Sequence, residues 1–223
     1  MKYFFCPGFT EQSGGLIRER SQAPSPLRGD ATPLSPVGSG GEGEARGQHS
    51  RSKLLAFAYP HAPIRAVATA LKAQVTSASH LDDVDPAWLS AQPVAQTQFD
   101  ALLAQFDVLI VRGEDSFLRA QYAAQPLLWH IYATPDDAHF VKLDAWLNRY
   151  CEGLASGTAE ALRQAQHAFN RGDRNAAAYA DFAMHLPTLK AHAARWRDRL
   201  FTQTDLATRL LNFASSLKMQ KVS

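Results

Sequence analysis

Val111-Arg112-Gly113-Glu114-Asp115-Ser116-Phe117 concentrates the chemically capable side chains of this 223-residue chain. Arg112 offers a planar guanidinium that can clamp a phosphate through two parallel hydrogen bonds. Gly113 lets a ligand approach the backbone closely, and Ser116 with the amides of a first helical turn can receive an anion. The stretch follows the apolar run Val108 to Val111, and in open parallel sheets ligands bind outside the carboxyl ends of the strands. Position and residue types both fit a diphosphate. Glu114 and Asp115 suit a phosphate only if they serve sugar hydroxyls or present backbone amides alone, and a sugar nucleotide meets both conditions. The competing reading pairs Arg112 with Glu114 as a structural ion pair and makes Asp115 a helix cap. No Walker or GxGxxG pattern decides between them.

A second cluster is Trp129-His130-Ile131-Tyr132, then Asp136-Asp137-Ala138-His139 and Lys142. Asp136 and His139 have the i, i+3 spacing of a ligand pair, but a metal needs further ligands. An N-cap at Asp136 or Asp137, with His139 in the first turn, accounts for the same letters, so no metal is expected. His130, inside an apolar run, reads as a hydrogen-bonded interior histidine rather than a base. Tyr59, after the run Leu54 to Ala58, can stack on a base or donate its hydroxyl to a phosphate, whereas Phe57 reads as core. Gln96 and Phe99 precede the helix leading to the Arg112 loop. They can meet a nucleobase or simply cap and pack.

Those residues need a frame, and from Lys53 onward strands and helices alternate. A strand Leu54 to Ala58 precedes a helix Pro63 to Gln74 with Ile64, Val67, Ala68 and Leu71 at helical spacing. A helix Gln98 to Phe106, a strand Val108 to Val111, a helix Asp115 to Ala123 and a strand Leu127 to Tyr132 follow. Continuous apolar strands separated by helices predict a Rossmann-like α/β fold, a parallel sheet covered on both faces. Residues 137–150, 157–171, 174–184, 188–201 and 204–217 read as C-terminal helices, punctuated by Gly153, Gly157, Gly172 and Pro187. Trp196 among arginines 195, 197 and 199 reads as a helix surface. Tyr3 to Cys6 reads as a strand entering a loop within 1–20. Residues 21–52 contain no Phe, Tyr, Trp, Ile or Met, which predicts a flexible Gly/Pro-rich linker or insertion.

With 46% hydrophobic and 20% charged residues the chain can bury a core. A net charge of +2 supplies no field that argues for nucleic acid or an anionic membrane as partner. Cys6 and Cys151 lie far apart without metal-binding spacing, no apolar run is long enough to span a membrane, and the first residues lack the apolar core of a secretion signal. A cytoplasmic location is the expectation.

Phe5 to Glu19, Phe57 to Pro63, Val111 to Tyr122, Trp129 to Tyr132 and Asp136 to Leu147 together resemble the EarP family, the protein-arginine rhamnosyltransferases of translation elongation factor P. The likeness covers residues 1–20 and most of 53–217, and the intervening segment looks foreign to the family. It implies an inverting glycosyltransferase of the GT-B type, in which two Rossmann-like domains face a cleft and the C-terminal one holds the nucleotide sugar. It further implies transfer of rhamnose from dTDP-β-L-rhamnose to an arginine of elongation factor P, with no metal or cofactor. By motif match, Arg112, Glu114, Asp115 and Ser116 fall in the diphosphate and sugar pocket, Glu114 and Asp115 being the catalytic candidates. Tyr59 falls on the phosphate, and Phe57, Gln96 and Phe99 near the thymidine. Residues 53–223 then form the nucleotide-sugar domain, and 1–20 a remnant strand and loop of the interdomain region. The family's Asp-Asn-Tyr-Gly-Asp motif, which carries its proposed general base, is absent from these 223 residues, as is an aromatic near Pro93-Val94. General-base help of about 10²–10⁴-fold would be missing, so negligible turnover by these residues alone is expected.

Overall fold

The computed structural model describes residues 51–220; the Tyr3 to Cys6 strand, Cys6 and all of the 21–52 segment except its last two residues lie outside the described part. Five strands form one parallel sheet: β1 (Lys53–Ala56), β2 (Gln74–Ser77), β3 (Leu89–Ser90), β4 (Val108–Arg112) and β5 (Leu127–His130). Their order is β3-β2-β1-β4-β5. The chain winds outward from β1 to β3, returns across the sheet, and winds outward again from β4 to β5. Neighbours β1 and β4 therefore send their chains in opposite directions, which opens a crevice at their carboxyl ends. Leu54, Leu55 and Ala56 of β1 and Val108 to Val111 of β4 are all buried, as a sheet covered on both faces requires.

Eight α-helices accompany the sheet among the described residues: α1 (Ile64–Leu71), α2 (Phe99–Leu103), α3 (Asp115–Tyr122), α4 (Ala138–Tyr150), α5 (Ser156–Asn170), α6 (Ala180–Met184), α7 (Leu186–Thr202) and α8 (Leu206–Gln220). None is long and apolar enough to cross a membrane. An aromatic chain joins several of them to the sheet. Phe117 stacks on Trp129 at 3.7 Å, Trp146 meets Phe117 edge-on at 5.1 Å, and Tyr150 continues the series to Trp196 at 5.3 Å. Trp196 is thus core rather than helix surface: its ring is buried and its indole nitrogen donates to Gln121 Oε1 at 2.8 Å. The flanking arginines had masked it.

Several expected boundaries move. α1 stops at Leu71 because Lys72 takes a left-handed conformation with φ 49°, so Gln74 opens β2 instead of closing a helix. Neither β2 nor β3 was expected. The β-branched pair Val75-Thr76 was the only signal for β2, and β3 is two exposed residues. The expected helix from Gln98 is a 3-10 turn, Gln96–Gln98, followed by the short α2. Residues 174–184 likewise divide into a 3-10 turn, Ala176–Tyr179, and α6. Gly157 and Pro187 lie inside the first turns of α5 and α7 rather than between helices. A first-turn proline is tolerated there because its missing N–H would have had no helical partner.

β5 is an edge strand, and α5 closes that edge with two amide side chains one turn apart. Gln166, fully buried, accepts from the Trp129 N–H at 3.1 Å and donates to the Leu127 carbonyl at 2.9 Å. Asn170 accepts from the Ile131 N–H at 3.0 Å and donates to the Trp129 carbonyl at 2.9 Å. The four backbone groups that a sixth strand would have paired are thereby satisfied. Gln166→Leu strands two of them, at about 1–3 kcal/mol each. Urea denaturation should show a stability loss of roughly 2–5 kcal/mol, against a change within about 0.5 kcal/mol for the exposed Gln164→Leu. Equal midpoints for the two variants would remove the clasp from the account.

Candidate functional site

Three strand ends meet at the crevice. β1 runs on through Phe57, whose N–H donates to the Ile110 carbonyl at 2.9 Å and keeps the exit of β1 against β4. Ala58 is then held by Ser79, whose hydroxyl accepts from the Ala58 N–H at 3.0 Å and donates to its carbonyl at 2.9 Å. The same carbonyl accepts from Arg112 Nη1 at 3.3 Å. Arg112 ends β4 opposite His130 of β5, and its guanidinium lies 4.7 Å over the Phe57 ring and 5.3 Å from the Tyr59 ring centre. No carboxylate among the described residues pairs with it. The alternative in which Arg112 and Glu114 form a structural ion pair is excluded, because Glu114 turns to Lys142 on α4.

Beyond Arg112 the chain turns at Gly113, whose φ of +65° is the left-handed conformation that glycine adopts without strain. A Cβ there would stand 4.0 Å from the Tyr59 hydroxyl, so the tyrosine tip overlooks this turn. The Gly113 carbonyl accepts from the Trp129 indole at 2.7 Å, which ties the turn to β5. α3 follows directly. Asp115 does not cap it; it occupies the first turn, with its carboxylate 3.4 Å from Arg119. Arg119 is buried and also pairs with Asp100 of α2 at 2.9 Å. Ser116 is half-buried in the same turn, and its hydroxyl has no hydrogen-bond partner among the described residues.

Phe99 meets Phe57 edge-on at 6.0 Å, so Phe99, Phe57, Arg112 and Tyr59 form one continuous surface beside the first turn of α3. Phe57 is half-buried and faces this surface rather than the core. Gln96 is exposed on the 3-10 turn before Phe99, and its side chain makes no hydrogen bond among the described residues. On the other side of Gly113 lies a mostly apolar cavity of about 210 Å³, between Gly113, Glu114, Trp129, Ile131, Thr134 and Lys142. Lys142 lies 5.6 Å over the Trp129 ring while it holds Glu114. A larger cavity of about 690 Å³ opens at the amino ends of β1 and β2. Its Arg65 is paired with Asp83 at 2.8 Å and Asp85 at 2.6 Å; the crevice instead lies at the carboxyl ends of the strands, where open parallel sheets bind ligands, and is the stronger candidate. Arg112 on an aromatic plate, a tyrosine hydroxyl and the amides of a first helical turn can together bind a phosphate ester, with Phe57 and Phe99 as an apolar flank.

The side chains of the second sequence cluster make local contacts. Asp136 accepts from the Ala138 N–H at 3.3 Å, Asp137 takes a left-handed conformation with φ 54°, and buried His139 bonds reciprocally with Thr134. No three His, Cys, Asp or Glu side chains among the described residues are placed to hold an ion. Cys151 is a free buried thiol whose pKa burial pushes up, the opposite of what a nucleophile needs. Sequence reasoning missed the His130 to Tyr59 contact and the pairing of Glu114 with Lys142. Each joins elements far apart in the chain, so no local pattern announces it.

Residues 87–215 match a family profile described as Elongation-Factor P (EF-P) rhamnosyltransferase EarP. The protein-arginine rhamnosyltransferase of Pseudomonas aeruginosa is 35% identical over 95% of this chain and 63% of its own length. That of Shewanella oneidensis is 33% identical over 95% of this chain and 62% of its own length. The chain thus spans somewhat under two thirds of these relatives. A solved structure of EarP, concerned with arginine glycosylation of translation elongation factor EF-P, superposes with a TM-score of 0.70 at 29% identity, over 96% of this chain and 76% of that one.

Burial first, then the charges of Arg112 and His61, bring the His130 pKa down from 6.5 to about 4. Between those values the unfolded chain holds a proton at this site that the folded chain does not, so lowering the pH favours unfolding. Buried His192 contributes with the same sign. Stability should therefore be level above neutrality and fall as the pH drops from about 6.5 towards 4. In His130→Asn, which has nothing to protonate, the fall should be shallower. Urea midpoints across that range on both proteins make the comparison, and parallel curves would contradict the assignment.

Proposed function

Because the chain belongs to the EarP family of elongation factor P rhamnosyltransferases, we propose that these residues bind the nucleotide-sugar donor of an arginine rhamnosyltransferase. The donor is dTDP-β-L-rhamnose and the acceptor an arginine of elongation factor P, which puts the reaction in the cytoplasm. The observation that carries the reading is Arg112 at the β1/β4 crevice, held over Phe57 and Tyr59 and paired with no described carboxylate. In the transfer, an acceptor guanidine nitrogen attacks the anomeric carbon with inversion while the carbon–oxygen bond to the diphosphate breaks. dTDP leaves with the negative charge and the guanidinium loses a proton to a base. Arg112, the Tyr59 hydroxyl, Ser116 and the first amides of α3 are suited to the diphosphate, where a cation and fixed dipoles stabilise the charge that develops. Phe57, Phe99 and Gln96 are suited to the thymidine. Glu114 and Asp115 carry acidic charge at the same turn, which serves the sugar hydroxyls and the cationic acceptor.

The 223 residues include no Asp-Asn-Tyr-Gly-Asp stretch, so we assign donor binding to them and the proton-accepting carboxylate to another chain segment. No metal or other cofactor enters this reading. Calorimetric titration with dTDP-β-L-rhamnose and with dTDP tests it. Loss of a charged hydrogen-bonding partner is worth about 1.5–3 kcal/mol, so Arg112→Ala should weaken dTDP binding roughly 10–100-fold. Tyr59→Phe should weaken it less than Arg112→Ala does. A folded wild-type chain that binds neither ligand would overturn the proposal, and rhamnosylated elongation factor P formed by these residues alone would overturn the assignment of the base elsewhere.

A further inference from the structure

The donor reading leaves His130 without a task, although it is the side chain that joins two of the proposed ligand-binding loops. Its Nδ1 accepts from the Tyr59 backbone N–H at 3.1 Å, across 71 residues of chain. The imidazole is wedged between two rings, with Tyr59 edge-on at 4.9 Å and Phe169 of α5 edge-on at 5.1 Å. In the β4/β5 register it sits opposite Arg112, whose guanidinium lies over the Tyr59 ring, 5.3 Å from its centre. Tyr59 precedes Pro60, leaves the strand after Ala58, and presents its hydroxyl over the Gly113 turn. Its backbone carbonyl accepts from the Ala62 N–H at 3.1 Å, and its own N–H is held by His130.

The geometry points to His130 as the positioning residue for Tyr59: it fixes the tyrosine backbone by accepting its amide proton, and so aims the hydroxyl at the ligand anion beside Gly113. The ring must act as an acceptor at Nδ1, so its proton lies on Nε2. Burial and the positive charges of Arg112 on β4 and His61 after β1 favour that neutral form. The link to the ligand rests on the donor reading of Tyr59. The link from His130 to Tyr59 does not.

Three substitutions in the full 223-residue chain separate these links. His130→Asn can place an acceptor oxygen where Nδ1 stands, His130→Gln places its amide near Nε2 instead, and His130→Leu offers no acceptor. Hydrogen exchange at the Tyr59 amide, followed by NMR, is expected to quicken about tenfold or more in the Leu and Gln variants. In the Asn variant it should stay within about threefold of wild type. Calorimetric dTDP affinity should follow the same order, falling about tenfold for Gln and Leu and little for Asn. Tyr59 exchange that is equal in wild type and His130→Gln overturns the positioning role, even if the Leu variant fails to fold. Quickened exchange with unchanged dTDP affinity overturns the coupling to the ligand. A wild type that binds no dTDP while Tyr59 exchange still tracks His130 defeats the donor reading and supports His130 as the holder of Tyr59.

Discussion

Two amide side chains on one helix, Gln166 and Asn170, hold the edge of the sheet, and the candidate site depends on that hold. They bond to the outer backbone groups of β5 from Leu127 to Ile131, which fixes the strand against α5 and sets which way its side chains face. From the fixed strand, Trp129 reaches the Gly113 carbonyl and His130 reaches the Tyr59 amide. The two loops that would face a ligand, one after β1 and one after β4, are thus both pinned to β5. A slip of one residue in β5 would exchange Trp129 and His130 between faces and release both loops together.

Electrostatics at the crevice is arranged by diversion. Arg119 is buried and takes Asp100 and Asp115, and Lys142 takes Glu114. Arg112 alone of these cations is held by ring faces and a carbonyl. Cation–π contact is worth about 0.5–2 kcal/mol, enough to orient a guanidinium without neutralising it. Its charge and most of its N–H groups remain available to an anion, whereas an intramolecular carboxylate would have competed with every phosphate that arrived.

The sheet strands that carry the site were legible because β1, β4 and β5 are short apolar runs bounded by turn residues, and burial on both faces leaves that signature. The Arg112 to Ser116 turn was legible because it begins at the end of such a run. Its wiring was not. Whether Glu114 pairs with Arg112 or with Lys142 is decided by where α4 packs, and the letters near Arg112 carry no information about that. β2 escaped because only one of its four residues is buried, and β3 because it is two exposed residues, so neither leaves an apolar run. Trp196 escaped because a lone aromatic among arginines looks like surface until Gln121 is seen beneath it.

The two margins of the sheet are finished differently. At β5, side chains occupy the backbone groups; at the far margin β3 consists only of Leu89 and Ser90, both exposed. An open margin is a template on which another polypeptide can lay a strand, and stacking of that kind leads to aggregation. Two residues offer too few backbone groups to seed it, so brevity on one side does what the amide clasp does on the other. Among the described residues the sheet stays parallel and open at the crevice with neither flank offering a long unpaired strand.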